Sequence, residues 1–144
     1  MDIKKIAQRY TDAGFSPIPL RRNSKAPALK GWQQHSESQI TDFSVFDKTN
    51  GIGLVMGFDG VQCLDIDAKH FEGDEYNDFV SLLEQHDPTL IDKMVIQQTQ
   101  SGGWHWIFKC SEIAGNEKLA KNKAGEVTFE TRGKGGQIVV WPTK

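Results

Sequence analysis

Asp65 and Asp67, in the run Val61-Gln62-Cys63-Leu64-Asp65-Ile66-Asp67, have the residue types and spacing for metal chemistry. In an extended strand alternate side chains point to opposite faces, so both carboxylates share one face while Leu64 and Ile66 share the other. Their Cα atoms then lie about 6.5–7 Å apart. Carboxylates that close repel each other and resist burial unless positive charge sits between them. A divalent cation, which takes hard oxygen ligands, resolves the conflict. A strand end whose aspartates face water, or cap the turn into Ala68-Lys69-His70, accounts for an isolated D-x-D equally well. Two later stretches change the weighting.

Alternation over residues 103–108 puts Trp104, Trp106 and Phe108 on one face and Gly103, His105 and Ile107 on the other. Three aromatics on one face are core packing, so His105 is turned to the opposite side, beside a glycine that leaves space in front of the sheet. Over residues 126–132, Val127 and Phe129 form the buried face, and Thr128, Glu130 and Arg132 point away. Asp65, Asp67, Glu130, His105 and Arg132 are therefore expected to converge on one sheet surface. Three carboxylates can hold two divalent ions about 3.5–4 Å apart, an arrangement that clamps the attacking and leaving oxygens of phosphoryl transfer. His105 and Arg132 supply donors for phosphate oxygens, and the backbone amides of Ser101-Gly102-Gly103 offer a small anion nest. Gly133-Lys134-Gly135-Gly136 lacks both the Walker A spacing and a following helix, and reads as a hairpin turn.

The elements that must position these groups follow from periodicity. Ile3, Ile6, Ala7 and Tyr10 have helical spacing, with Gly14 placed to end the helix. Residues 15–20 are extended but carry Pro17 and Pro19, which suits an edge strand. Arg21, Arg22, Lys25 and Lys30 cluster in a loop with Pro27, Gly31 and Trp32, able to grip phosphates or simply solvated. Residues 39–47 are expected to form a short helix. Strands are expected at 52–56 and 61–67, paired as a hairpin, and then a helix over 74–86 with Tyr76, Phe79, Val80 and Leu83 on its buried face. Residues 94–99 and 104–110 flank the Ser101-Gly102-Gly103 turn. Residues 111–125 read as a lysine-rich loop, and 126–132 and 137–141 as a second hairpin. The class is α+β with a largely antiparallel sheet.

The chain has 144 residues, enough for a real core, with a net charge of −2 that excludes a bulk basic protein but not a local cationic groove. Cys63 and Cys110 lack zinc-site or disulfide-framework spacing and read as buried reduced thiols of a cytosolic protein. No apolar run approaches a membrane span. The strand at the C-terminus stops abruptly, which suggests a piece of a longer protein.

Taken in order, Leu64-Asp65-Ile66-Asp67, then 99–108 (TQSGGWHWIF), then 129–140 (FETRGKGGQIVV) resemble the archaeo-eukaryotic primase superfamily. More narrowly, they resemble the bifunctional DNA primase/polymerase N-terminal domain of phages and plasmids. The N-terminal Ala7, Tyr10, Gly14-Phe15, Pro17-Ile18-Pro19, Lys25-Ala26-Pro27 and Gly31-Trp32 are similar too, so the resemblance spans nearly the whole chain. It implies a small α/β unit beside an RRM-like catalytic sheet with flanking helices, a bacterial, phage or plasmid setting in the cytoplasm, and template-directed nucleotidyl transfer with Mg²⁺ or Mn²⁺. It further implies that Asp65, Asp67 and Glu130 are catalytic metal ligands, with glutamate standing where many members have aspartate. His105 contacts the triphosphate, and Arg132, Ser101, Gly103 and Lys25 join the substrate side. Nucleoside triphosphates, a single-stranded DNA template and a helicase are the implied partners.

Two other classes compete. A metal-dependent phosphodiesterase, nuclease or phosphatase also uses D-x-D and a later acid, although Ala68-Lys69-His70 does not continue the pattern of a haloacid-dehalogenase site. A non-catalytic primase-like module would bind nucleic acid without the chemistry. Incorporation of labelled nucleotide on a primed template separates all three.

Overall fold

The structure, a computed structural model, describes residues 1–112 and 115–144. Helix α1 (Ile3–Asp12) is followed by strands β1 (Pro17–Pro19), β2 (Ile52–Val55) and β3 (Val61–Ile66), then helix α2 (Glu75–His86). Strands β4 (Val95–Gln98), β5 (Trp104–Lys109), β6 (Lys118–Lys121), β7 (Val127–Arg132) and β8 (Gln137–Val140) complete the order. The expected α+β class holds. The strands form a three-stranded sheet, β1-β2-β8, and a five-stranded sheet, β4-β5-β3-β7-β6; the β1–β2, β2–β8, β4–β5 and β6–β7 pairs are antiparallel. The chain divides into two compact units, one of Met1–Gln62, Lys109–Asn116 and Arg132–Lys144, the other of Cys63–Phe108 and Glu117–Thr131.

In the first unit, the Asp2 carboxylate caps α1 by accepting from the Lys4 and Lys5 amides at 3.1 and 3.3 Å. Ile6 and Ala7 are its buried face. The Tyr10 hydroxyl donates to the Trp141 carbonyl at 2.9 Å, and burial pushes its phenol upward. Strand β1 is an edge, as its two prolines require, because proline has no N–H to give a second neighbour. Ile18, Leu20, Phe46, Ile52, Leu54, Met56, Ile138 and Val140 make the core.

The second unit packs α2 on one face of the long sheet. Leu64, Ile66, Trp106 and Phe129 are buried there against Tyr76, Phe79, Val80 and Leu83, the four residues expected from their helical spacing. Tyr76 stacks on Trp104 with ring centroids 3.7 Å apart, and Phe79 meets Trp106 at 5.5 Å and Phe129 at 5.0 Å. The aromatic face of β5 is thus core, and the D-x-D face of β3 is directed away from it. The turn between β4 and β5 forms as expected, with the Thr99 amide donating to the Gly103 carbonyl at 2.8 Å.

Several expectations are overturned. Neither hairpin forms as paired from sequence: β2 lies between β1 and β8, and β3 lies between β5 and β7, while β7 and β8 belong to different sheets. All four residues of β2 and five of the six in β3 are buried. Such strands need neighbours on both edges, which a two-stranded hairpin does not supply. Residues 39–47 contribute only the 3-10 turn Phe43–Phe46, started by Asp42 accepting from the Ser44 amide at 3.0 Å. Within 111–125, Lys118–Lys121 is an edge strand exposed at every position, held by pairing with β7 rather than by burial; residues 113–114 of that expected loop lie outside the described residues. Cys63 is buried, but Cys110 is exposed, one residue past the end of β5. Among the described residues no helix is long and apolar enough to cross a membrane.

Candidate active site

Strand β3 is the middle strand of its sheet, and because Leu64 and Ile66 are drawn into the α2-facing core, Asp65 must point from the other face. His105 reaches the same face from β5, opposite Trp104 and Trp106. Its Nε2 lies 3.4 Å from Asp65 Oδ1, and the ring is buried while the Asp65 side chain is a quarter exposed. Register places Gln97 of β4 directly opposite His105, and Gln97 Nε2 lies 3.0 Å from His105 Nδ1. A carboxylate can only accept, so in the neutral ring Nε2 carries the hydrogen toward Asp65 and Nδ1 accepts from the Gln97 amide. Gln97 thereby fixes both the tautomer and the plane of the imidazole.

Asp67 stands just past the end of β3, its amide donating to the Thr128 carbonyl of β7 at 2.8 Å. Its Oδ2 lies 3.5 Å from Lys69 Nζ and 3.7 Å from His70 Nε2. Its Oδ1 is buried, with no hydrogen-bond partner. A buried carboxylate oxygen without a donor is destabilising by at least about 1–3 kcal/mol, and a divalent cation would satisfy it. Among the described residues no group of three or more His, Cys, Asp or Glu side chains is arranged to hold a metal ion, so Asp65, Asp67 and Glu130 do not close a cage by themselves. Mg²⁺ does not require one: it is commonly held by one or two carboxylates, with water and substrate phosphates completing the sphere. The donors fit a hard cation on those terms.

The remaining expected site residues divide by position. Glu130 lies on β7, the strand next to β3, at register with Lys118 of β6. Arg132 ends that strand and belongs to the first unit, as does the exposed Lys25. Ser101 is exposed, its hydroxyl 3.2 Å from that of Thr99. The Gly102 amide donates to the Thr99 carbonyl at 3.0 Å, so one of the three amides expected to form an anion nest is engaged in closing the turn. Gly103 does not open space in front of the sheet. A side chain there would collide with the Ile66 carbonyl oxygen and lie 3.3 Å from the Ala68 nitrogen; the glycine lets β5 begin hard against the end of β3.

Three participants went unnoticed in the sequence: Gln97, His70 and Glu126. The first was accessible, since a turn closed between Thr99 and Gly103 sets Gln97 against His105. His70 Nδ1 lies 2.7 Å from Glu126 Oε2, a contact between stretches far apart in the chain with no local signal.

Fold and site together define an α+β protein with paired carboxylates on the central strand of an antiparallel sheet and a histidine aimed at one of them. The family model described as bifunctional DNA primase/polymerase, N-terminal (Prim-Pol), matches residues 7–144, and the chain belongs to that family. No curated protein matches the chain.

Proposed function

We propose that this chain is a template-directed nucleotidyltransferase that adds nucleotides from nucleoside triphosphates to a nucleic-acid strand, with Mg²⁺ or Mn²⁺ held by Asp65 and Asp67. The observation that carries the reading is the face of β3: two aspartates directed off the core, one beside a buried, oriented histidine and the other with a buried oxygen lacking a partner. Family membership supports the same reading. In the reaction, the 3′-hydroxyl oxygen of the growing strand bonds to the α-phosphorus, the bond to pyrophosphate breaks, and the hydroxyl proton passes to solvent. The bound cation supplies charge neutralisation and alignment of the phosphate oxygens. Glu130 adds carboxylate density from the adjacent strand as the third ligand. His105 donates Nε2–H to the triphosphate, with Gln97 keeping the ring in the donating tautomer. Primer extension with labelled nucleotide tests the reading.

His105→Ala is expected to weaken binding of all four nucleotides by similar factors, in the range of about 1.5–3 kcal/mol for a hydrogen bond to a charged group. Nucleotide titrations check this, and a loss confined to one base contradicts a phosphate role.

The template requires local positive charge, since the chain is acidic overall. Lys69, Lys109 and Lys134 are paired with Asp67, Asp59 and Glu37, so Lys134 does not serve as the spare cation its glycine-rich turn suggests. Arg21, Arg22, Lys25 and Lys30 are exposed on one loop, folded back by the Arg21 amide donating to the Ala26 carbonyl at 2.7 Å. Reversing the charges of Arg21, Arg22 and Lys25 is expected to flatten the salt dependence of single-strand binding by about 0.7 in log–log slope per lost phosphate contact, leaving Mn²⁺ binding intact. An unchanged slope places the template elsewhere.

A further inference from the structure

His70 sits in the 3-10 turn Ala68–His70 immediately after β3, its amide donating to the Asp67 carbonyl at 3.3 Å. The turn brings the ring back beside the aspartate three residues earlier. One ring nitrogen, Nδ1, is 2.7 Å from Glu126 Oε2; the other, Nε2, is 3.7 Å from Asp67 Oδ2. Glu126 is held in turn. Asn122 donates its side-chain amide to Glu126 Oε1 at 3.2 Å and to the His70 carbonyl at 3.1 Å, and accepts from the Glu126 amide at 2.9 Å. Both oxygens of Glu126 are therefore assigned, one to the asparagine and one to the histidine. Lys69 also reaches Asp67 Oδ2, at 3.5 Å, but its side chain is 59% exposed against 22% for His70, and nothing tethers it beyond that contact.

Asp67 consequently has its two oxygens in different situations. Oδ2 faces an anchored imidazole, while Oδ1 is buried and without a partner. A carboxylate two residues from another carboxylate would relax by rotating toward water. A ring braced by a second carboxylate opposes that rotation at the oxygen it faces, and outer groups of this kind set ligand orientation at metal sites.

We infer that Glu126 and His70 form a positioning relay that holds the Asp67 carboxylate with Oδ1 presented to a divalent cation, an inference that rests on the reading of Asp65 and Asp67 as cation ligands. His70 and Glu126 act through Asp67 and touch neither nucleotide nor template. The relay mirrors the Gln97–His105 pair behind Asp65, so each aspartate of the pair is backed by a histidine whose far nitrogen is held by another side chain.

Calorimetric titration of the full chain with MnCl₂ tests this, with metal-free thermal melts run on each variant. His70→Ala is expected to weaken Mn²⁺ binding about 10–100-fold, the usual effect of losing an outer-shell partner, at a metal-free melting temperature close to wild type. Glu126→Ala is expected to move affinity the same way by less. Glu126→Gln, whose carbonyl still accepts from Nδ1–H, is expected to recover most of it. Wild-type affinity in His70→Ala, with affinity lost in Asp65→Ala, overturns the relay and leaves the cation reading standing. Wild-type affinity in both overturns the cation reading and the relay with it. Should His70→Ala fail to fold, the wild-type protein decides: the His70 Nε2 resonance is expected to shift on adding Mg²⁺ and to saturate with the calorimetric affinity. A resonance that does not move overturns the relay.

Discussion

Asp67→Ala is expected to abolish Mn²⁺ binding and to reduce nucleotide incorporation by about 10³-fold or more, equivalent to about 4 kcal/mol of lost transition-state stabilisation, while the protein stays folded. The reason lies in which way the side chain points. Ile66 is part of the core against α2 and Asp67 is not, so truncation removes no apolar packing. It does remove a buried oxygen that lacks a partner and one member of a like-charged pair on the same stretch of chain. The metal-free melting temperature is therefore expected to hold or rise. Asp65→Ala should act alike on Mn²⁺, and it also frees His105 from its carboxylate contact. Calorimetry with MnCl₂ and differential scanning calorimetry of the metal-free proteins check both halves. Wild-type Mn²⁺ affinity in the Asp65→Ala/Asp67→Ala double variant sinks the assignment.

The largest effect on stability is expected from Gly103→Ala. The added Cβ runs into the carbonyl oxygen of Ile66 and sits 3.3 Å from the Ile66 carbonyl carbon and the Ala68 nitrogen. All three are backbone atoms at the end of the strand that carries Asp65, so no flexible side chain can give way. Overpacking of this kind costs about 3 kcal/mol, and any relief must come from moving the D-x-D stretch itself. Gly102 provides the control. Its φ is +86° but a Cβ there meets nothing within 4 Å, so Gly102→Ala is expected to cost only the left-handed backbone strain of about 1–2 kcal/mol. Urea unfolding of the two variants separates the causes. If Gly102→Ala proves the more damaging, close approach of the strands is not what the second glycine provides.

Much of the site was legible because it is local. Alternation put Asp65 opposite Leu64 and Ile66, and His105 opposite Trp104 and Trp106, and the structure bears out both. The spacing of Tyr76, Phe79, Val80 and Leu83 located α2 and its buried face. Adjacent strands were mispaired because Asn50-Gly51 and Asp59-Gly60 mark turns without saying which sheet the chain enters next. Burial of β2 and β3 along nearly their whole length is the physical sign of central strands, and their apolar runs only hinted at it. Strand β6 was invisible for the opposite reason: Lys118-Leu119-Ala120-Lys121 buries nothing and owes its conformation to the β7 backbone. Gly103 was read as space for a ligand when it is space for a neighbouring strand, a distinction that requires knowing that β5 lies against β3. The His70–Glu126 contact depends on β7 lying beside β3, which nothing in either segment announces.

Primer extension by the full chain tests the central claim most directly. A 5′-labelled primer annealed to a longer template is incubated with the protein, nucleoside triphosphates and Mn²⁺ or Mg²⁺, and products are resolved by length. Template-dependent lengthening by the wild-type protein, absent when the cation is chelated and absent in Asp65→Ala and Asp67→Ala, is the expected result. Shortening of the labelled strand with no lengthening, dependent on the same aspartates, would contradict it and identify the site as hydrolytic.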